Sequence, residues 1–194
     1  MKRGRLPRFF LSPQSILLLV DDTLLRVMRM EVNGEAIEIL SPATSEDRDW
    51  LKALWVNEYG GDFVISRGKE HNLRDVEAFI AWRDGVRVGA ASYRLTNGEC
   101  ELTNIHAIIR GKGIERKMLT FVEEIAKQAG SHHIWLVTTN DNVDAMRFYQ
   151  RLGYRIIAVH PGAIDEVRKR KPAVPLVGFY GIPMLDEIEL RKFI

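Results

Sequence analysis

Arg110-Gly111-Lys112-Gly113 stands just before a stretch in which Met118, Phe121, Val122, Ile125 and Ala129 recur at helical spacing. Two glycines let a backbone come close to a ligand, and a helix opening there leaves its first amides without internal partners. Those amides and the helix dipole favour an anion, typically a phosphate. Further on, Thr138-Thr139-Asn140-Asp141-Asn142 runs into Ala145, Phe148, Tyr149, Leu152, Gly153 and Tyr154. Together the two blocks point to a site for a phosphorylated cofactor. The turn is not a nucleotide P-loop, which needs a longer spacer before a Gly-Lys-Ser/Thr. Nor is it a dinucleotide fingerprint, since its glycines are too close together and no βαβ unit precedes it.

The elements that must hold these residues follow from periodicity and turn chemistry. Ala36-Ile37-Glu38-Ile39-Leu40 reads as a first strand. Thr44 or Ser45 then caps a helix bearing Trp50, Leu51, Leu54 and Trp55 on one face, and Gly60-Gly61 stops it. Phe63-Val64-Ile65 reads as a short strand and Ser66 through Leu73 as loop. Asp84-Gly85 and Asn97-Gly98 are hairpin turns separating three strands, Ala78–Arg83, Val86–Leu95 and Glu99–Ile108. A helix from Ile114 to Ala129, ended by Gly130, leads to a strand over His133–Thr139. Strand, helix, strand at these lengths implies a right-handed crossover with the two strands parallel. A helix over Val143–Leu152, a strand over Tyr154–His160 and a helix-like segment Ala163–Arg170 follow. Ile188 and Leu190, alternating with Glu187, Glu189 and Arg191, suggest a terminal strand. The sheet is therefore mixed, antiparallel early and parallel in the middle.

At 194 residues, 46% of them hydrophobic and 28% charged, the chain has the composition of one globular domain. Regular patterning sets residues 31–194 apart as that domain and leaves residues 1–30 as an amino-terminal extension. A net charge of +2 argues against nucleic acid as the partner, and the basic clusters Lys2-Arg3-Arg5-Arg8 and Arg168-Lys169-Arg170-Lys171 read as solvated faces. The apolar content of the first twenty residues is broken by Ser12-Pro13-Gln14-Ser15, so neither a membrane span nor a secretion signal is expected, and a cytoplasmic setting is. Cys100 is the sole cysteine and reads as a small buried hydrophobe.

The order and spacing of the two blocks resemble the GNAT superfamily of N-acetyltransferases. The likeness runs over roughly residues 36 to 160, with the closest matches between 101 and 154. The tail from Lys171-Pro172 through Gly181-Ile182-Pro183 to Glu187-Ile188-Glu189-Leu190 is similar to a branch of that superfamily carrying the TTNDN segment. The resemblance implies an α/β (α+β) fold: a mixed, mostly antiparallel sheet, a central parallel strand pair splayed for CoA, and helices on both faces. It implies acetyl-CoA as cosubstrate, no metal, and a small-molecule or protein amine as acceptor. A homodimer is left open.

By the same resemblance Arg110, Gly111, Lys112, Gly113 and Ile114 grip the pyrophosphate, while Glu115 replaces the small residue that should close the motif. A carboxylate there suits the dipole but opposes a diphosphate, unless it turns outward to Lys112 or Arg116. The backbone of Ile105 to Ala107 would pair with the pantetheine arm, and Asn142 would bond that arm or cap its own helix. Tyr149 stands where such enzymes place the acid that protonates the departing thiolate. For the base, Glu101 occupies the fourth strand, and His106, a residue type suited to proton transfer, stands closer to the reaction centre. Regular alternation puts Glu101, Thr103 and Ile105 on one face, an arrangement that a bulge would change. Trp55, Glu58, Ser66, Arg67 and His71 are candidates for the acceptor pocket. A CoA-binding sensor without turnover is the alternative.

Overall fold

The computed structural model describes residues 17–19, 27–32, 35–109 and 111–194; Arg110 and the first basic cluster lie outside the described residues. The strands are β1 (Leu17–Leu19), β2 (Val27–Val32), β3 (Glu35–Leu40), β4 (Phe63–Ser66), β5 (Lys69–Asn72), β6 (Glu77–Arg83), β7 (Val86–Thr96), β8 (Glu99–Ala107), β9 (His133–Thr139), β10 (Arg155–His160) and β11 (Glu187–Phe193). The α-helices are α1 (Ser45–Tyr59), α2 (Ile114–Gln128), α3 (Val143–Arg151) and α4 (Ala163–Arg170). Nine strands form one sheet in the order β1-β2-β3-β6-β7-β8-β9-β11-β10, and β4 with β5 forms a separate hairpin. Every pairing is antiparallel except that of β8 with β9.

The two Asx-Gly hairpins form as read. Asp84, Gly85, Asn97 and Gly98 all take positive φ, the conformation a two-residue turn demands. Two readings need correction. The strand at Ala36–Leu40 is the third rather than the first, because β2 pairs along its whole length. The segment after Phe63-Val64-Ile65 is a second strand rather than loop: Arg67 and Gly68 take positive φ and turn β4 back onto β5. The polar Lys69-Glu70-His71-Asn72 has no apolar alternation to betray it.

Helices cover both faces of the sheet. On one face, Met118, Phe121, Val122 and Ile125 of α2 join Phe79, Tyr93 and Leu102 in the main core. On the other, Leu51 of α1 meets Ile80 and Ala90. Cys100 is fully buried, and burial pushes its thiol up to about 12, so it stays protonated and unreactive.

The start of α1 is fastened to the sheet. Thr44 and Asp47 form a reciprocal capping box, and Arg87 of β7 donates to Asp47 at 2.9 Å. Burial pushes the Asp47 carboxyl up, but the Arg87 guanidinium and the N–H groups of Thr44 and Ala43 outweigh it and hold the group at about 2. A depressed carboxylate stabilises the fold fully above its ordinary value and loses that contribution as pH falls through the folded value. Asp47→Asn is expected to lower stability by about 1–2 kcal/mol at pH 7. Urea midpoints of the two proteins should converge as pH drops from 3.8 towards 2.

Candidate active site

The parallel pair comes apart. β8 and β9 share register only over Glu99↔His133, Cys100↔Ile134 and Glu101↔Trp135. Beyond that point β8 stays bonded to β7 as far as Ala107, and β9 stays bonded to β11 as far as Thr139. Each strand thus follows its outer neighbour, leaving a gap whose facing backbone groups have no strand partner. Gly89 lets β7 hold the end of β8 close, since a Cβ there would lie 2.7 Å from the carbonyl oxygen of His106.

A bulge decides which β8 side chains look where. Tyr93 pairs with Leu102 but Ser92 with Asn104, so Thr103 is the extra residue, and its hydroxyl lies 2.7 Å from that of Ser92. The expected sharing of one face by Glu101 and Ile105 is therefore overturned. Ile105 turns to the α2 side, while Glu101, Asn104 and His106 all face the α1 side.

Two tyrosines flank the gap. Tyr59, the last residue of α1, donates to the carbonyl oxygen of Ile105 at 3.4 Å. Its place is set by Lys171, buried at the end of α4, which donates to the carbonyls of Tyr59 and Phe63. Tyr149 on α3 is buried against Phe148 and Tyr154. Burial drives its phenol well above the ordinary range, and Tyr59 and Glu115 add to the rise. Tyr149 is thus a protonated donor beside the gap. Sequence reasoning missed Tyr59; its position just before Gly60-Gly61 was the available signal.

At the mouth of the gap α2 begins without a side-chain cap, and Gly111 and Gly113 both have positive φ. Ile114 is buried and Lys112 exposed. Glu115 does not turn outward to Lys112 or Arg116: it is half-buried and makes no ion pair among the described residues. Its charge acts instead on Tyr59 and Tyr149.

The TTNDN segment is a clasp. Asn142 caps α3, accepting from the amide of Ala145 at 3.1 Å. Asn140 donates to the carbonyl of Pro183 and accepts from the amides of Leu185 and Asp186, each at 2.9–3.0 Å. Asp141, fully buried, accepts from the amide of Phe179 at 2.9 Å. The fit excludes any side chain at 178, where a Cβ would meet the Asp141 carboxylate at 1.9 Å.

The clasp delivers β11, whose charged residues line the α1 side of the sheet. Glu101, Glu187 and Glu189 are 7%, 3% and 3% exposed. The β4–β5 hairpin covers them. His71 Nε2 lies 3.2 Å and Arg94 3.8 Å from Glu101. Arg67 sits 3.6 Å from Glu189, with its guanidinium 4.8 Å from the centre of the Trp135 ring. A cleft of about 380 Å³ opens beside them, lined by Ser66, Arg67, His71, Arg94, Glu101 and Trp135, among others. Ser66, Arg67 and His71 thus meet there, whereas Trp55 lies in the interior and Glu58 pairs with His106 at 3.3 Å. The carboxylates of β11 were not singled out from sequence, because alternation alone does not reveal that a polar face will be covered.

A sheet parted in this way, with an uncapped glycine-started helix at the mouth of the gap, has the architecture of an acetyltransferase. The Acetyltransferase (GNAT) family profile matches residues 38–154. The chain belongs to the GNAT acetyltransferase family. It is 40% identical over 158 residues to "Uncharacterized protein YdhI" of Bacillus subtilis strain 168, covering 80% of this chain and 98% of that one. Streptothricin acetyltransferase of Streptomyces lavendulae is 36% identical over 95 residues, 45% of this chain and 49% of that one. Among solved structures, a Bacillus subtilis acetyltransferase in complex with CoA superposes with a TM-score of 0.60 at 20% identity, covering 88% of this chain and 99% of that one. Among the described residues no helix is long and apolar enough to cross a membrane, and no group of His, Cys, Asp and Glu gathers as a metal site.

Asn140→Ala removes three hydrogen bonds that seat the tail. It is expected to cost about 2–3 kcal/mol and to accelerate hydrogen exchange at Leu185 and Asp186. Unchanged exchange at those amides would refute the clasp.

Proposed function

We propose that the protein transfers an acetyl group from acetyl-CoA to a primary amine by direct attack, without a covalent enzyme intermediate. The observation that carries this reading is the early end of the β8–β9 pairing at Glu101↔Trp135 while both strands run on. Unpaired strand edges need partners, and the amides and carbonyls of a pantetheine arm are suited to supply them. The uncapped amides at the start of α2, with Lys112 and Arg110 nearby in sequence, suit a pyrophosphate.

The donor tether then runs along Ile105 to Ala107, with Asn142 at the opposite wall and the thioester near Tyr149. The raised phenol of Tyr149 keeps its proton until a thiolate forms beside it. The acceptor comes from the α1 side, where Glu101 and His106 are the candidates that the family resemblance offers for removing its ammonium proton. Named relatives support an amine as acceptor: beside the streptothricin enzyme stands an aminoalkylphosphonate N-acetyltransferase of Salmonella typhimurium strain LT2, 34% identical over 131 residues.

One observation favours a second reading. Glu115, half-buried at the phosphate end of the gap, opposes a bound diphosphate, as would suit a domain that senses CoA without turnover.

Calorimetry with acetyl-CoA, followed by thiol release across a panel of primary amines, separates these readings. Acetyl transfer predicts both binding and amine-dependent release; binding with no release on any amine would leave only the sensor. Tyr149→Phe is expected to lower kcat about 100-fold with little change in acetyl-CoA affinity. Glu115→Gln should tighten CoA binding roughly threefold to tenfold, with the gain shrinking at high salt.

A further inference from the structure

Glu101, His106, Glu187 and Glu189 are among the titratable residues on the α1 side of the sheet, and their surroundings sort them. Glu101 has the Arg94 guanidinium of the neighbouring strand at 3.8 Å, with His71 of the hairpin, whose pKa burial lowers, at 3.2 Å. His106 is matched by Glu58. Glu189 is ringed by Arg67, His160 and Arg191 at 3.6, 3.2 and 3.4 Å. Glu187 has no cation within ion-pair distance among the described residues; its carboxylate accepts only the backbone N–H of Arg67, at 3.1 Å. A desolvated carboxylate without a cationic partner is costly and calls for one.

Register sets the height of each group along the gap. Glu101 lies level with Trp135, where the parallel strands still pair. Glu187 lies level with Thr139, four residues further along β9 on the same side, or about 13 Å at strand rise. That is the height of Ile105 to Ala107, past the point where the strands part. The backbone of Glu187 is thus level with the open gap, one strand removed from it, and that of Glu101 is level with the paired part of the strands.

The neighbourhood already holds a cation. The guanidinium of Arg67 rests over Trp135 and against Glu189. Arg67 takes φ 51° in a two-residue turn, a conformation that disfavours a large side chain. The strained turn aims its N–H at Glu187 and its side chain at Glu189.

Building on the acetyl-transfer reading, we propose that Glu187 seats the ammonium group of a primary amine acceptor and takes its proton, acting as the general base. The freed nitrogen attacks the thioester carbonyl carbon, so that a C–N bond forms and the C–S bond breaks. The nitrogen gives up two protons in all. One passes through Glu187 to solvent, and the other balances the proton that Tyr149 hands to the departing sulfur. Burial pushes the Glu187 carboxyl upward, towards the range a base at neutral pH needs. The groups facing it are Arg67 from the hairpin, Glu101 from β8, His160 from β10 and Glu189 from its own strand; Arg67 and His160 oppose the rise, while the two glutamates add to it.

The test is thiol release from acetyl-CoA with benzylamine and 1,4-diaminobutane as probes, measured across pH. Glu187→Gln is expected to cut kcat/KM at least 100-fold, to leave acetyl-CoA affinity within threefold, and to abolish the acid limb of the pH profile. Glu187→Asp guards against a folding defect: it should retain the limb with reduced kcat. Formate should restore part of the activity of Glu187→Ala. Should Glu187→Gln keep a third of the activity or the same acid limb, or should Glu101→Gln lose that limb instead, this assignment is overturned while acetyl transfer stands. If the wild-type protein binds acetyl-CoA but releases no thiol with either amine or any other, both readings fall together.

Discussion

Two neighbouring strands part where the outer neighbours that hold them diverge. β8 is tied to β7 from Thr96↔Glu99 to Gly89↔Ala107, and β9 is tied to β11 from His133 to Thr139. Twist accumulates across every pair in a sheet, and here the mismatch between the halves is released at one seam. Parallel pairing is also the weaker kind, so a parallel seam is where a sheet should part at least cost. The gap is therefore not a missing piece of structure. It is held open by two antiparallel ladders, and the Thr103 bulge adjusts which side chains of β8 face the site.

Everything that could act at the gap is brought there by an element anchored elsewhere. Tyr59 arrives at the end of α1, and Lys171 from α4 holds the carbonyl of that same residue. Tyr149 arrives on α3, which Asn142 caps. Glu187 arrives on β11, whose entry is clasped by Asn140 and Asp141 through the Phe179–Asp186 segment. The donor side and the acceptor side thus share one loop. A residue pair in the TTNDN segment seats the tail, and the next residue starts the helix that carries Tyr149. Loosening that loop would move both walls of the site at once.

The parts of this arrangement legible in the sequence are those set by local rules. Asp84-Gly85 and Asn97-Gly98 specify their turns because both positions need positive φ, and the apolar face of α2 follows from its spacing. The Arg67-Gly68 turn has the same backbone but hides it, because arginine is not a residue such turns select. The bulge at Thr103 is likewise invisible, since it depends on how two strands register rather than on either one alone. The cap that Asn142 makes follows from residue type, while the work of Asn140 and Asp141 depends on a tail more than thirty residues further on, as the 38 to 46-residue separations of these contacts show.

The polar face of β11 marks the clearest limit of pattern reading. Glu187, Glu189 and Arg191 alternate with Ile188 and Leu190 as in any half-exposed strand, and their charges suggest solvent. The fold covers that face with the β4–β5 hairpin, turning ordinary surface glutamates into buried ones. Burying a carboxylate costs several kcal/mol unless a partner compensates. For Glu101 the partner is Arg94, and for Glu189 the partners are Arg67, Arg191 and His160. For Glu187 a single backbone N–H offsets little of that cost, and a chain that keeps such a group level with an open gap is better explained by a cation that comes and goes than by stability alone. In the proposed reaction the acceptor amine is such a cation: it would arrive charged, be relieved of a proton, and leave as a neutral amide. The carboxylate that welcomes the ammonium has no hold on the product, and release then follows from the same chemistry that binding required.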